Sequence, residues 1–60
     1  MTEAAQVAAA LWRQYGEDAV VIATLRAAEV AALGDIDALA HWDEVAAILS
    51  GEESRPPRTN

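Results

Sequence analysis

The sequence predicts an all-α protein, a small three-helix unit that pairs into a helical dimer. Alanine, the residue with the highest helix propensity, accounts for 15 of the 60 residues. The three glycines are spread singly along the chain, and the segments between them repeat apolar residues at the three-and-four spacing of a helix. One domain is therefore predicted over residues 1–51, with helices at about 3–15, 18–33 and 36–49.

The first helix has recognisable signals at both ends. Thr2 is a typical N-cap, Glu3 places an acid in the first turn, and Gly16 follows the last periodic residue. One face of this helix is apolar and consists of Ala4, Val7, Ala8, Leu11, Trp12 and Tyr15. Trp12 lies at the edge of that face, so two interpretations stay open for it, a core anchor and an interface contact.

The second helix is apolar around most of its circumference. Its polar residues Asp18, Arg26 and Glu29 project within roughly 80° of one another. Ile22 and Leu33 fall within this same polar strip, where an isolated three-helix unit would not cover them. The helix is therefore expected to have neighbours on more than one side, and Gly34 is expected to end it.

The third helix is predicted to begin at an N-cap, Asp35, with Asp37 in its first turn. Its apolar face consists of Ala38, Leu39, Trp42, Val45, Ala46 and Leu49. Trp42 lies at the centre of this face and is predicted to be the main core anchor, whereas His41 is predicted to point away from the core. Ile36 and Ile48 lie off the main stripe.

Candidate chemistry is confined to the outward side of the third helix. Asp37, His41 and Glu44 are spaced i, i+4 and i+7, so they form a partial set of metal ligands on one face. The preferred alternative is a solvated acidic face, because one helix offers few ligands. Neither a metal nor a cofactor is predicted. An enzyme is not predicted either, because most hydroxyl groups lie at helix ends or in the tail and the glycines form no phosphate loop.

The composition limits the classes of function. A net charge of −6 repels phosphate backbones and so disfavours direct nucleic-acid binding. No apolar run is long enough for a membrane span, and the start "MTEAAQ" does not resemble a signal peptide, so a cytoplasmic protein without membrane contact is expected. Cysteine is absent, which leaves helix packing or association to stabilise the domain. Residues 52–60, which contain Pro56 and Pro57, are predicted to be a disordered tail.

Several short motifs carry a resemblance to known proteins. The order "AALW", "YGEDA" and "GDIDALAHWDEVAAIL" resembles a family of short bacterial proteins classed as a domain of unknown function. The similarity covers residues 8–49, with a leucine–tryptophan pair in the first helix and a W-x-x-V pattern in the third. The resemblance implies a compact helical protein and no activity.

These observations predict a non-catalytic interaction module, which self-associates or docks on a larger protein through apolar helix faces. Homodimerisation is expected because the core of so short a chain only roughly offsets its ordering entropy. The predicted interface consists of Trp12, Ile22, Leu33, Ile36 and Ile48. The alternative function is an acidic regulator or inhibitor that masks a basic surface, as an antitoxin or a nucleic-acid mimic does.

Overall fold

The computed structural model describes residues 2–54, which form α-helices joined by short turns. Helix α1 spans Glu3–Tyr15, α2 spans Ala19–Ala32 and α3 spans Ile36–Ser54. One turn of 3₁₀ helix, Gly16–Asp18, joins α1 to α2. Because these residues contain no strand, the all-α prediction is confirmed.

The three helices do not pack equally on one another. Helices α1 and α2 are separated only by the 3₁₀ turn and make few contacts with each other. Helix α3 packs most extensively on α2 and also contacts α1. Helices α1 and α2 therefore form one bent segment, with the bend at Gly16, and α3 packs along it. As a result, α2 has a single helical neighbour along most of its length.

The start of α1 and the bend after it follow local signals. The Oγ1 atom of Thr2 accepts a hydrogen bond from the backbone N–H of Ala5 at 3.1 Å, so the predicted N-cap is confirmed. Gly16 has a φ of 62°, a conformation that glycine adopts without the steric cost of a Cβ atom. Its N–H donates to the carbonyl of Trp12 and ends α1.

The turn between α2 and α3 is fixed by hydrogen bonds on both sides. Gly34, with a φ of 77°, donates its N–H to Ala31, and the N–H of Asp35 donates to Val30, which together form a Schellman motif. The Oδ1 atom of Asp35 then accepts from the N–H of Ala38 at 3.0 Å and caps α3. The predicted roles of Gly34 and Asp35 are confirmed.

Helix α3 is longer than predicted. It passes through Ser50 and Gly51 and ends at Ser54, five residues beyond the expected end. Gly51 is not among the positive-φ residues, so it acts as a helical residue and not as a C-terminal cap. Residues 52–54 of the predicted tail are helical, and residues 55–60 lie outside the described residues.

The core consists mainly of alanines. Among residues 2–51 the buried apolar side chains are Ala4, Ala8, Ala19, Ala23, Ala27, Val45 and Leu49. Val45 and Leu49 are the largest fully buried side chains, and Trp42 is only half-buried at the edge of this cluster. Trp42 nevertheless packs against the cluster, and its role as the main core anchor stays a prediction. The small alanine side chains let the helix backbones approach closely. The bulky indole of Trp42 therefore lies beside this close contact and not within it.

Enlarging one of the buried alanines should force α2 away from α3. Ala23 has no exposed surface, so Ala23→Leu is expected to overpack the contact and cost about 1–3 kcal/mol of unfolding free energy. Ala31→Leu introduces the same side chain at an exposed position of α2 and should cost little. Urea unfolding followed by circular dichroism compares the two variants, and equal midpoints would contradict the close contact.

Candidate functional site

The most unusual surface of the molecule is the side of α2 that faces away from the core. Val21, Leu25, Ala28 and Ala32 are all exposed and lie within an arc of about 60° on the helix. The buried residues Ala19, Ala23 and Ala27 lie on the opposite side. We call the four exposed residues the outer stripe. It contains no polar side chain, although the outward face of a helix is normally polar.

Further exposed apolar side chains adjoin this helix. Among residues 2–51, the large apolar side chains with substantial exposure are Tyr15 at 43%, Val21 at 55%, Leu25 at 59%, Leu33 at 82% and Ile36 at 78%. Val21 and Leu25 belong to α2, Leu33 follows its last residue, and Tyr15 and Ile36 are the neighbouring end residues of α1 and α3. Large apolar side chains are thus exposed together along one helix and beside its two ends, which is the kind of surface that often marks an interaction site.

A shallow groove lies beside the outer stripe. It has a volume of about 330 Å³ and is lined by Tyr15, Ile22, Leu25, Arg26 and Glu29. A guanidinium nitrogen of Arg26 donates to Oε1 of Glu29 at 3.2 Å. Both side chains of this ion pair are more than half exposed, so the pair contributes little to stability. It does place one charge of each sign at the edge of an otherwise apolar surface.

A second groove lies between α1 and the C-terminal half of α3. Its volume is about 310 Å³ and its lining consists of Ala5, Ala8, Ala9, Trp12, Arg13, Ile48 and Leu49. Trp12 and Ile48 are half-buried, and both pack against the core cluster. Ile48 is therefore not left over after the core is assembled, and the expectation that it lies off the packed face is corrected.

The five residues of the predicted interface fall in three places. Trp12 and Ile48 line the groove between α1 and α3, and Ile22 lines the groove beside the outer stripe. Leu33 and Ile36 are exposed at the turn between α2 and α3. The structure thus brings Ile22, Leu33 and Ile36 to α2 or its C-terminal end, and it places the other two elsewhere.

Sequence reasoning missed Val21 and Leu25, the two large residues of the outer stripe. The prediction placed the outward side of α2 along the strip of Asp18, Arg26 and Glu29, whereas the centre of the exposed face lies at Val21, Leu25 and the alanines that follow them. A signal was present in the i, i+4 repeat of Ala19, Ala23 and Ala27. Small residues at this spacing permit close helix contact, and taking them as the packed side places Val21 and Leu25 outside.

The candidate metal ligands do not form a site in this structure. Asp37 and Glu44 are exposed and His41 is half-buried. The His41 ring meets Trp42 edge to face, with 5.4 Å between ring centroids, so the histidine is not simply solvated as predicted. Within the part of the chain that the structure describes, no three acidic, histidine or cysteine side chains are arranged to hold a metal ion.

The acidic groups are distributed over the surface. Each of the eight acids between residues 2 and 51 is exposed, and no charged side chain in that range is buried. Thr24, the polar residue nearest the outer stripe on its other flank, donates its hydroxyl to the carbonyl of Val20 at 2.8 Å. This internal hydrogen bond satisfies the hydroxyl donor of Thr24 without a partner protein.

The chain matches no protein-family model, no curated protein and no solved structure. The resemblance to short bacterial proteins of unknown function therefore rests on the motifs alone and stays a prediction. Among residues 2–54, no helix combines the length and the apolar character that a membrane-spanning segment requires.

Proposed function

We propose that this protein is a non-catalytic interaction module that associates through the outer stripe of α2 and the apolar residues around it. The observation that carries the proposal is the composition of the stripe, in which Val21, Leu25, Ala28 and Ala32 are all apolar and all exposed. An exposed apolar face of this kind contributes nothing to the stability of the isolated chain in water. A partner that covers it removes this surface from water and stabilises the folded chain.

The small core supports association as the source of stability. Among residues 2–51, only Val45 and Leu49 are large and fully buried. Alanine contributes much less hydrophobic free energy than leucine because its side chain buries less area. With no cysteine in the chain, disulfides supply nothing further. A helical homodimer is the assembly we favour, because two-fold pairing is the commonest way for a protein to cover an apolar patch. Docking on a larger protein through the same stripe is the alternative.

A second candidate function is an acidic regulator that masks a basic surface. The exposure of all eight acids between residues 2 and 51 favours it, because each carboxylate is available to a partner. The acids are distributed around the molecule, however, whereas the exposed large apolar side chains are concentrated at α2. We therefore rank apolar association first.

A salt series distinguishes the two functions. Self-association of the chain, followed by sedimentation at about 0.05 M and about 0.5 M sodium chloride, should stay the same or strengthen at the higher concentration. Salt does not screen apolar contacts. It does screen the electrostatic repulsion between two chains that each carry a charge of −6. Complexes that weaken steeply with salt, whether between copies or with a basic protein such as a histone, would support the acidic regulator instead.

A further inference from the structure

We infer that the partner of the outer stripe is a second copy of this chain, bound with the two α2 helices antiparallel across a two-fold axis. The inference rests on the proposed function and adds to it the identity of the partner and the direction of the pairing. The order of side-chain sizes along the stripe carries it, and the positions of Leu33 and of the Arg26–Glu29 pair are considered against it.

The sizes of the stripe residues are self-complementary in the antiparallel direction. Two larger side chains, Val21 and Leu25, occupy the first half of the stripe, and Ala28 and Ala32 occupy the second half at the same four-residue spacing. A two-fold axis midway between residues 26 and 27 places Val21 opposite Ala32 of the second copy and Leu25 opposite its Ala28. Each large side chain then meets a small one, so the helices approach evenly along the whole stripe.

A parallel pairing lacks this property. It places Val21 against Val21 and Leu25 against Leu25 at one end of the interface, and alanine against alanine at the other. The large pairs hold the helices apart where the alanines need close approach, which leaves a gap without van der Waals contact. The antiparallel direction is therefore the one that fills the interface.

The same two-fold operation places an exposed leucine on the edge of the pair that carries the groove beside the stripe. Leu33, which is 82% exposed, lies on the flank of α2 that also carries the groove. In the antiparallel pair it reaches the level of residue 20 in the second copy, on the edge of the interface that also carries that copy's groove. The exposed turn of each chain thus lies along the same edge of the pair as the groove of the other chain.

The Arg26–Glu29 pairs do not oppose this arrangement, although the same operation brings the exposed Asp18 of each chain to the level of the exposed Asp35 of the other. The Arg26–Glu29 pair of each chain lies on the flank of the stripe, and the two-fold axis brings both pairs to the same edge of the interface. Both signs of charge are therefore present there. The stripe itself carries no charge, so its burial leaves no ionised group without a partner.

Cysteine cross-linking tests the direction of pairing, because the natural chain contains no cysteine. Val21→Cys and Ala32→Cys are made as separate variants at exposed positions, then mixed, oxidised and analysed by mass spectrometry. A disulfide needs Cα atoms within about 7 Å, whereas residues 21 and 32 are about 16 Å apart along a parallel pair. We expect the mixed 21–32 product to exceed each self-linked product by about tenfold or more.

The outcomes separate the inference from the proposed function. Efficient self-linking of each single variant would overturn the antiparallel direction and leave the interaction module intact. A dimer in sedimentation without any 21–32 product would also overturn the antiparallel direction and leave the interaction module intact. A chain that remains monomeric at all concentrations would contradict both the antiparallel pairing and self-association. Ala10→Cys, at an exposed position of α1 outside the stripe, is the control for random collisions and should give no cross-linked product.

Discussion

Replacing Leu49 with alanine should remove most of the stability of the fold. Leu49 is 1% exposed and is one of two large side chains that are fully buried among the described residues. Truncating a buried leucine costs about 2–5 kcal/mol, and a domain of 60 residues has a total stability of only a few kcal/mol. We expect the helical circular dichroism signal of Leu49→Ala to be largely lost at 25 °C, or its urea midpoint to fall below half that of the parent.

A matched variant on the same helix tests whether burial is the cause. Leu39→Ala removes the same atoms from a half-buried position of α3 and changes helix propensity equally. We expect it to lower the urea midpoint much less than Leu49→Ala. If the two variants unfold together, or if Leu39→Ala is the less stable of the two, the described core is wrong.

The second large effect is expected at the centre of the outer stripe. Leu25→Glu places a carboxylate in the proposed interface once per chain, hence twice per dimer, with no cation among the stripe residues to pair with it. Burying an unpaired charge costs about 3 kcal/mol or more, so the dissociation constant should rise by at least about a hundredfold. Sedimentation equilibrium measures this change directly. Melting temperature should fall with it, because the dissociated chain loses the stability that association supplies.

Gln6→Glu is the control for the added charge. It raises the negative charge of the chain by the same amount at an exposed position of α1, away from the stripe. Association should stay within a few-fold of the parent, because exposed charges interact weakly in physiological salt. If Gln6→Glu dissociates the chains as strongly as Leu25→Glu does, the effect comes from net charge and the outer stripe is not the interface.

Local signals in the sequence predicted the helix ends well. The roles of Thr2, Gly34 and Asp35 depend on hydrogen bonds within a few residues, so the residue types alone indicate them. Most of the apolar faces of α1 and α3 was also predicted, since both helices carry enough polar residues to mark their outward sides. The exceptions are Tyr15, which is exposed, and Ile48, which packs against the core. The end of α3 lies beyond the predicted one because the chain does not turn at Gly51 and the helix continues to Ser54.

The orientation of α2 was the part that local signals did not determine. This helix is apolar almost all around, so its polar residues do not show which side faces the core. Packing decided it, because the close approach of α3 requires small side chains, and Ala19, Ala23 and Ala27 supply them. Because this close contact takes small side chains, Trp42 lies at the edge of the core and Leu25 lies outside it. As a result, only part of the candidate interface was predicted.

Sedimentation equilibrium of the unmodified chain, with thermal melts of the same samples, tests the central claim most directly. Over a dilution series from about 200 μM to about 1 μM, self-association predicts a mass near twice the 6.4 kDa of one chain at the upper end. Mass and melting temperature should then fall together on dilution. A 6.4 kDa species at every concentration, with an unchanged melting temperature, would contradict self-association through the outer stripe.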